Sequence, residues 1–175
     1  MADVNQGGTD INNPQSQSTE EPGATRRASG VDLQARREQR RETRRNQTYK
    51  AFLHNLMAIG SMNEEDAERA AVSVLCVLEQ RLFGGEPAHL EAQLPGKLQD
   101  LLVRCERHTG KPASKFGRDG FIQMVAQDLE VEPLVAERRI RAVFTALRDQ
   151  VSEGEIDDVI GQLPSDLREL WHLTI

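Results

Sequence analysis

Eight arginines crowd into residues 26–45 of this 175-residue chain, six of them as doublets at 36/37, 40/41 and 44/45. A guanidinium is planar and always charged, and it presents paired N–H donors that match the two oxygens of a carboxylate or phosphate. A spacing of four places Arg36, Arg40 and Arg44 on one stripe of a helix, and Arg37, Arg41 and Arg45 on the stripe beside it. The segment 32–48, DLQARREQRRETRRNQT, contains neither Gly nor Pro, and Glu38 and Glu42 stand three residues before Arg41 and Arg45. Its apolar content is nearly limited to Leu33 and Ala35. A helix without an apolar stripe is marginal alone, so this arm is expected to extend a following helix or to fold on a partner. Arg36, Arg37, Arg40, Arg41, Arg44 and Arg45 are the candidate contact residues, and an acidic protein surface is the expected partner. Nucleic acid is the alternative, since arginines neutralise phosphates and release counterions. Against it, no aromatic residue is interleaved for base stacking.

Other chemistry is sparse. The four histidines, at 54, 89, 108 and 172, include no pair at the i, i+4 spacing of a helical metal site. His89 lies three residues after Glu86 and two before Glu91, which suits hydrogen bonding but is no ligand set by itself. The acidic run Ser152–Asp158 lacks the twelve-residue calcium-loop pattern; acids at a helix start more simply favour the positive end of its dipole. No G-x-S-x-G, phosphate-binding glycine loop or dinucleotide fingerprint occurs. No catalytic residue, metal or cofactor is therefore expected, and the chain reads as a non-enzymatic interaction module, with an enzyme of unrecognised site as the third alternative after nucleic-acid binding. Arg138, Arg139 and Arg141 form a second basic group, expected to be mostly solvated, with Glu137 placed to pair with Arg141 one turn on.

Charge is unevenly divided along the chain. Residues 1–25 carry −4, residues 26–45 carry +5, and the remaining 130 carry −7. A basic arm next to an acidic domain can bind an acidic partner or fold back on its own domain. Cys76 and Cys105 lack metal-ligand spacing; Cys76, in an apolar run, reads as a buried thiol, and such usage fits a reducing compartment. The start, MADVNQGGTDINN, has no basic region followed by an apolar one, and no apolar run nears the roughly 20 residues that span a bilayer. A cytoplasmic protein with no membrane contact is expected.

These residues must be positioned by helices. Residues 1–31, rich in Gly, Asn, Gln, Ser, Thr and Pro, have little to bury and are expected to be disordered. Tyr49, Phe52, Leu53, Leu56 and Met57 follow the i, i+3, i+4, i+7, i+8 pattern of a helix with one buried face, and Ile59-Gly60-Ser61 ends it. Asn63 is the expected N-cap of a long helix, with Asp66 three residues on. Ala67, Ala71, Val74, Leu75, Leu78 and Leu82 face inward on that helix, and Gly84-Gly85 stops it. Short helices follow from Pro87 and Pro95.

The pattern then returns at an ungapped offset of 69. Residues 52–102 match 121–171 at 13 of 51 positions, including Phe52/Phe121, Ala67-Glu68-Arg69/Ala136-Glu137-Arg138, Gly85-Glu86/Gly154-Glu155 and Gln93-Leu94-Pro95/Gln162-Leu163-Pro164. The chain is thus read as all-α: a disordered tail (1–31), an Arg-rich helical arm (32–48), one helical repeat (49–102), a linker (103–117) and a second repeat (118–175). Each repeat supplies about four helices, too few to bury their apolar faces alone, so the two should pack together.

Two features, an aromatic-led first helix and a Gly-Glu turn leading into Q-L-P-x-x-L-x-x-L, occur in both copies. They resemble the bacterial family of domain of unknown function 2267, over about residues 49–171. The resemblance implies an all-α fold and a bacterial cytosolic setting, and it implies no activity. The first copy departs from the pattern in having Gly84 and Gly85 before Glu86 and Pro87 after it. The Q-L-P element is expected to be structural: Pro preorganises the next helical turn, and the preceding Leu packs against it.

Overall fold

In a computed structural model, residues 25–105 and 112–172 are described, with side chains from residue 33 onward. Among them all regular secondary structure is helical. Eight α-helices run in order: α1 (Thr25–Gly60), α2 (Glu64–Glu79), α3 (Glu86–Gln93), α4 (Gly96–Leu102), α5 (Arg118–Leu129), α6 (Pro133–Gln150), α7 (Glu153–Gln162) and α8 (Ser165–Arg168), followed by a 3-10 turn at Glu169–Trp171. No helix among the described residues is long and apolar enough to cross a membrane.

The chain divides into two units, Met1–Glu38 and Gln39–Ile175. In the first unit, residues 1–24 of the tail expected to be disordered lie outside the described residues. From Thr25 to Val31 the backbone is already helical as the opening of α1. The arm is therefore no separate element. It belongs to the same 36-residue helix that carries the first apolar face.

The second unit is organised around α2, which packs on α4, α5 and α6, while α5 and α6 pack on each other. Ala67, Ala70, Ala71, Val74, Leu75, Val77 and Leu78 of α2 have no accessible surface. The small residues near its start allow close approach of neighbours, and the larger ones fill the centre. Tyr49, Phe52, Leu53 and Leu56 of α1 are buried, as their spacing requires. The second copy replaces two leucines by aromatics. Phe144, at the position of Leu75, stacks on Trp171, at the position of Leu102, with ring centroids 4.0 Å apart and planes within 11°.

Local signals explain the helix ends. Asn63 caps α2 as expected: its Oδ1 accepts from the Asp66 N–H at 2.8 Å, and its amide donates to the Asp66 carboxylate at 3.0 Å. The first long helix of each copy ends in the same way. Ser61 (φ 50°) and Glu130 (φ 54°) are left-handed. The following N–H groups, of Met62 and Val131, reach back to the carbonyls of Met57 and Ala126 at 3.1 and 3.0 Å. This is the six-to-one closure of a helix whose next residue is left-handed, built twice without the usual glycine. Pro95 and Pro164 stand at the N-caps of α4 and α8, and Leu94 and Leu163 before them are buried.

The cysteines differ from the expectation. Cys76 of α2 and Cys105, just past α4, form a disulfide, with Cα atoms 6.3 Å apart. The buried free thiol read from sequence is therefore corrected. The apolar run around Cys76 indicates burial but is silent on a partner 29 residues away. Of the linker expected over 103–117, residues 106–111 lie outside the described residues, and 112–117 are not helical.

Candidate functional site: the arginine arm and the junction of the two copies

The arginines proposed for contact lie on α1. In the first unit, Arg36 and Arg37 are exposed. In the second, Arg40, Arg41 and Arg44 are exposed as well. Residues 33–48 are exposed without a break, and burial begins abruptly at Tyr49. Local side-chain bonds reinforce the helix: Thr43 donates to the Gln39 carbonyl at 2.8 Å, Thr48 to the Arg44 carbonyl at 3.1 Å, and Asn46 to Glu42 at 3.3 Å. Arg45 is different. Its guanidinium reaches α4, donating to the Gly96 carbonyl at 3.0 Å and to Asp100 at 2.6 Å. It lies so close over Gly96 that a Cβ there would come within 2.5 Å of its Nε. Arg45 is thus engaged by the chain's own acidic face, as the charge division allowed for the arm in general.

The second basic group is largely structural. Arg139 pairs with Asp66 at 3.3 Å, joining α6 to α2. Arg141 binds Glu137 at 2.9 Å and also donates to the carbonyls of Glu169 and His172. The expectation that most of this group is solvated is corrected, and only Arg138 is exposed. Glu137 is held from a second side by Arg118 at 2.8 Å. Burial pushes its carboxyl up, but the bonds from Arg141 and Arg118 outweigh that and hold it below the usual range. Arg118 stands 69 positions after Tyr49, which in the first copy donates its hydroxyl to Glu68, the equivalent of Glu137. One position in each copy therefore anchors the same glutamate with a different donor.

A groove of about 490 Å³ lies between α2, α4 and α5, lined by Glu68, Arg69, Ser73, Leu101, Arg104 and Asp128 among others. Ser73 donates to Asp128 at 2.8 Å. No histidine is among the described residues that line this groove.

The repeated Q-L-P and Gly-Glu elements meet where α3 packs on α7, one helix from each copy. Gln93 donates its side-chain amide to Glu155 at 3.1 Å, and its Oε1 accepts from the Ser152 N–H at 2.8 Å. Gln162 does the converse, donating to Glu86 at 3.4 Å and accepting from the Phe83 N–H at 2.9 Å. Ser152 and Phe83 are themselves 69 apart, so both halves of the exchange are equivalent. Each glutamine reads the turn of the other copy. Glu86, Glu155 and His89 offer ligand-type atoms that all lie within 4.8 Å of one another. Desolvation pushes the Glu86 carboxyl up, helped by its bond to Glu155 and by the charges of Glu155 and Asp158, with His89 opposing. Spacing along one helix could not reveal this cluster, because its acids come from different copies. The signal in the sequence was the repetition of Gly-Glu and Gln-Leu-Pro.

Compared with known proteins, residues 49–170 match the model of the family described as Uncharacterized conserved protein (DUF2267). No curated protein matches the chain.

Proposed function

This chain belongs to the DUF2267 family, and we propose that it is a non-enzymatic helical adaptor that binds an acidic protein partner through its arginine arm. The observation that carries this reading is the unbroken exposure of residues 33–48, with Arg36, Arg37, Arg40, Arg41 and Arg44 on the surface of α1. The arm also lies outside the residues matched to the family, so it is the part of the chain that would give this member a partner of its own. A helix surface carrying guanidinium doublets suits clustered carboxylates, because each can form two parallel charge-assisted bonds. Arg45 belongs to the same set in sequence, but in this reading its role is to seat the arm on α4. Two tandem helical repeats then supply a rigid base. The bacterial and cytoplasmic setting implied by the family resemblance is part of the proposal. In a reducing compartment the Cys76–Cys105 bond would be transient, and alkylation of free thiols in intact cells would show which state prevails.

The test is affinity capture from a native bacterial lysate. It compares the full chain with a variant carrying Gln at positions 36, 37, 40, 41 and 44, with Arg45 kept so that the base stays intact. The reading expects one acidic protein held by the full chain and lost from the variant. Phosphates would be recognised by the same donors, so capture of nucleic acid that nuclease clears would replace the acidic protein with the nucleic-acid alternative. Equal capture by both chains would move the function to the helical repeats. A turnover assay tied to the α2–α4–α5 groove would be the sign of an enzyme.

A further inference from the structure

We infer that the junction of the two copies is a binding site for a divalent transition-metal ion, held by Glu86, His89 and Glu155. The proposal is independent of the arm. Three features of the junction support it.

The first is convergence. Two carboxylates and an imidazole bring one ligand atom each within 4.8 Å of the others, close enough for a single ion at ordinary metal–oxygen and metal–nitrogen distances of about 2.0–2.2 Å. His89 folds back over its own turn, with its ring within 3.6 Å of where a Cβ on Gly85 would stand. This keeps the exposed imidazole beside the two carboxylates.

The second is the pair of orphaned acceptors. The Oε1 atoms of both Glu86 and Glu155 are buried and, apart from the contact between the two carboxyls themselves, meet no hydrogen-bond donor among the described residues. The Oε2 atoms are already occupied by the two glutamine amides. Two buried acceptors facing each other require one positive charge between them, either a shared proton or a cation, since an unmatched buried carboxylate oxygen is costly. The imidazole at the same point is what distinguishes the two. It adds a nitrogen ligand that a shared proton would not need.

The third is orientation. Gln93 and Gln162, each fixed by a backbone N–H of the opposite copy, hold the carboxylates from behind. Ligands oriented from an outer shell in this way are characteristic of metal sites. Two oxygens and one imidazole nitrogen suit zinc or manganese better than calcium, which takes six to eight oxygens. Three protein ligands would leave one coordination position for water or for a partner's side chain.

The experiment is calorimetric titration of the untagged, full-length chain with Zn²⁺, and with Co²⁺ for its visible absorption. One ion per chain is expected, with the cobalt spectrum of a site containing nitrogen and oxygen ligands. Glu155→Gln and Glu86→Gln keep the side-chain shape and relieve the carboxylate contact, so circular dichroism should be unchanged while affinity falls at least tenfold. Should either glutamine variant fold poorly, His89→Ala replaces an exposed side chain and should lower affinity by a similar factor in an intact fold. Failure of Zn²⁺, Co²⁺ and Mn²⁺ to bind, or equal affinity in wild type and His89→Ala, would overturn the proposal and leave a carboxyl–carboxylate pair sharing a proton.

Discussion

Arg45 and Asp100 meet at 2.6 Å, and that contact separates the last arginine of the arm from the others. It holds α1 to the start of α4. Arg40, Arg41 and Arg44 have exposed guanidiniums on the same helix. Replacing Arg45 by Ala should lower stability by about 0.5 kcal/mol, a small value because both partners are substantially exposed and screened. Replacing Arg40 or Arg41 by Ala should leave stability within that margin and weaken partner binding instead. Urea denaturation alongside binding measurements separates the two effects. A large loss of stability from Arg41→Ala would show that the arm is structural throughout.

Glu79 makes stability fall as pH rises. It lies 2% exposed in the core. Burial, together with the charge of Glu91 and a hydrogen bond to it, pushes its carboxyl up to about 9. The folded state therefore keeps a proton that the unfolded chain releases near its ordinary value. This contribution to stability is fully present below about 4.5 and is lost progressively as pH climbs toward about 9. Glu79→Gln should stabilise the protein at pH 8, by on the order of 2 kcal/mol, and should flatten the decline between those limits. Melting temperatures of both chains from pH 5 to pH 9 would show it. Parallel curves would remove Glu79 as the cause.

The left-handed residues at the two helix ends offer a stabilising change. Glu130 sits at φ 54° with a side chain, a conformation that costs an L-residue roughly 1 kcal/mol relative to glycine. Glu130→Gly should raise stability by about 0.5–1 kcal/mol, and Ser61→Gly by a similar amount. Glycine at Ala126, inside α5, should do the reverse by about 1 kcal/mol. Chemical denaturation of the three variants is a direct check, and a destabilised Glu130→Gly would mean that its side chain makes a contact outweighing the strain.

The disulfide should be measurable as a constraint on the unfolded chain. Closing a loop between residues 29 apart is worth about 3.6 kcal/mol on the chain-entropy account. Without reductant, mass spectrometry after alkylation should find neither cysteine modified. With reductant, both should be labelled and the melting temperature should drop. Labelling of Cys105 in unreduced protein would show the bond is absent in solution.

The helical elements were legible in the sequence because their signals are local. The face led by Tyr49 and Phe52, the Asn63 cap and the prolines at 95 and 164 each act within a turn or two of chain. The exposed arm was equally legible, since nothing apolar accompanies its arginines. Contacts set by how helices pack were not legible. Cys76 gives no sign of Cys105. Arg139 and Arg141 read as solvated because their partners, Asp66 on α2 and the carbonyls near the C-terminus, are remote in sequence. Gln93 and Gln162 read as parts of a helix-start motif, correctly placed at the junction between short helices. Their side chains, however, serve the opposite copy, and only packing α3 on α7 reveals it.

The exchange between Gln93 and Glu155, and between Gln162 and Glu86, has a consequence for dividing the molecule. Each half of the chain holds one donor and one acceptor of a matched set, like two faces of a clasp. If the polypeptide were severed between the copies, each fragment would expose a glutamine and a glutamate whose proper mates lie on the other piece. The two fragments would then be natural complements, poised to reassemble without a covalent tether. Two identical first-half fragments would not meet equally well, because Gly84 and Pro87 of that turn are replaced by Glu153 and Ile156 in its true partner.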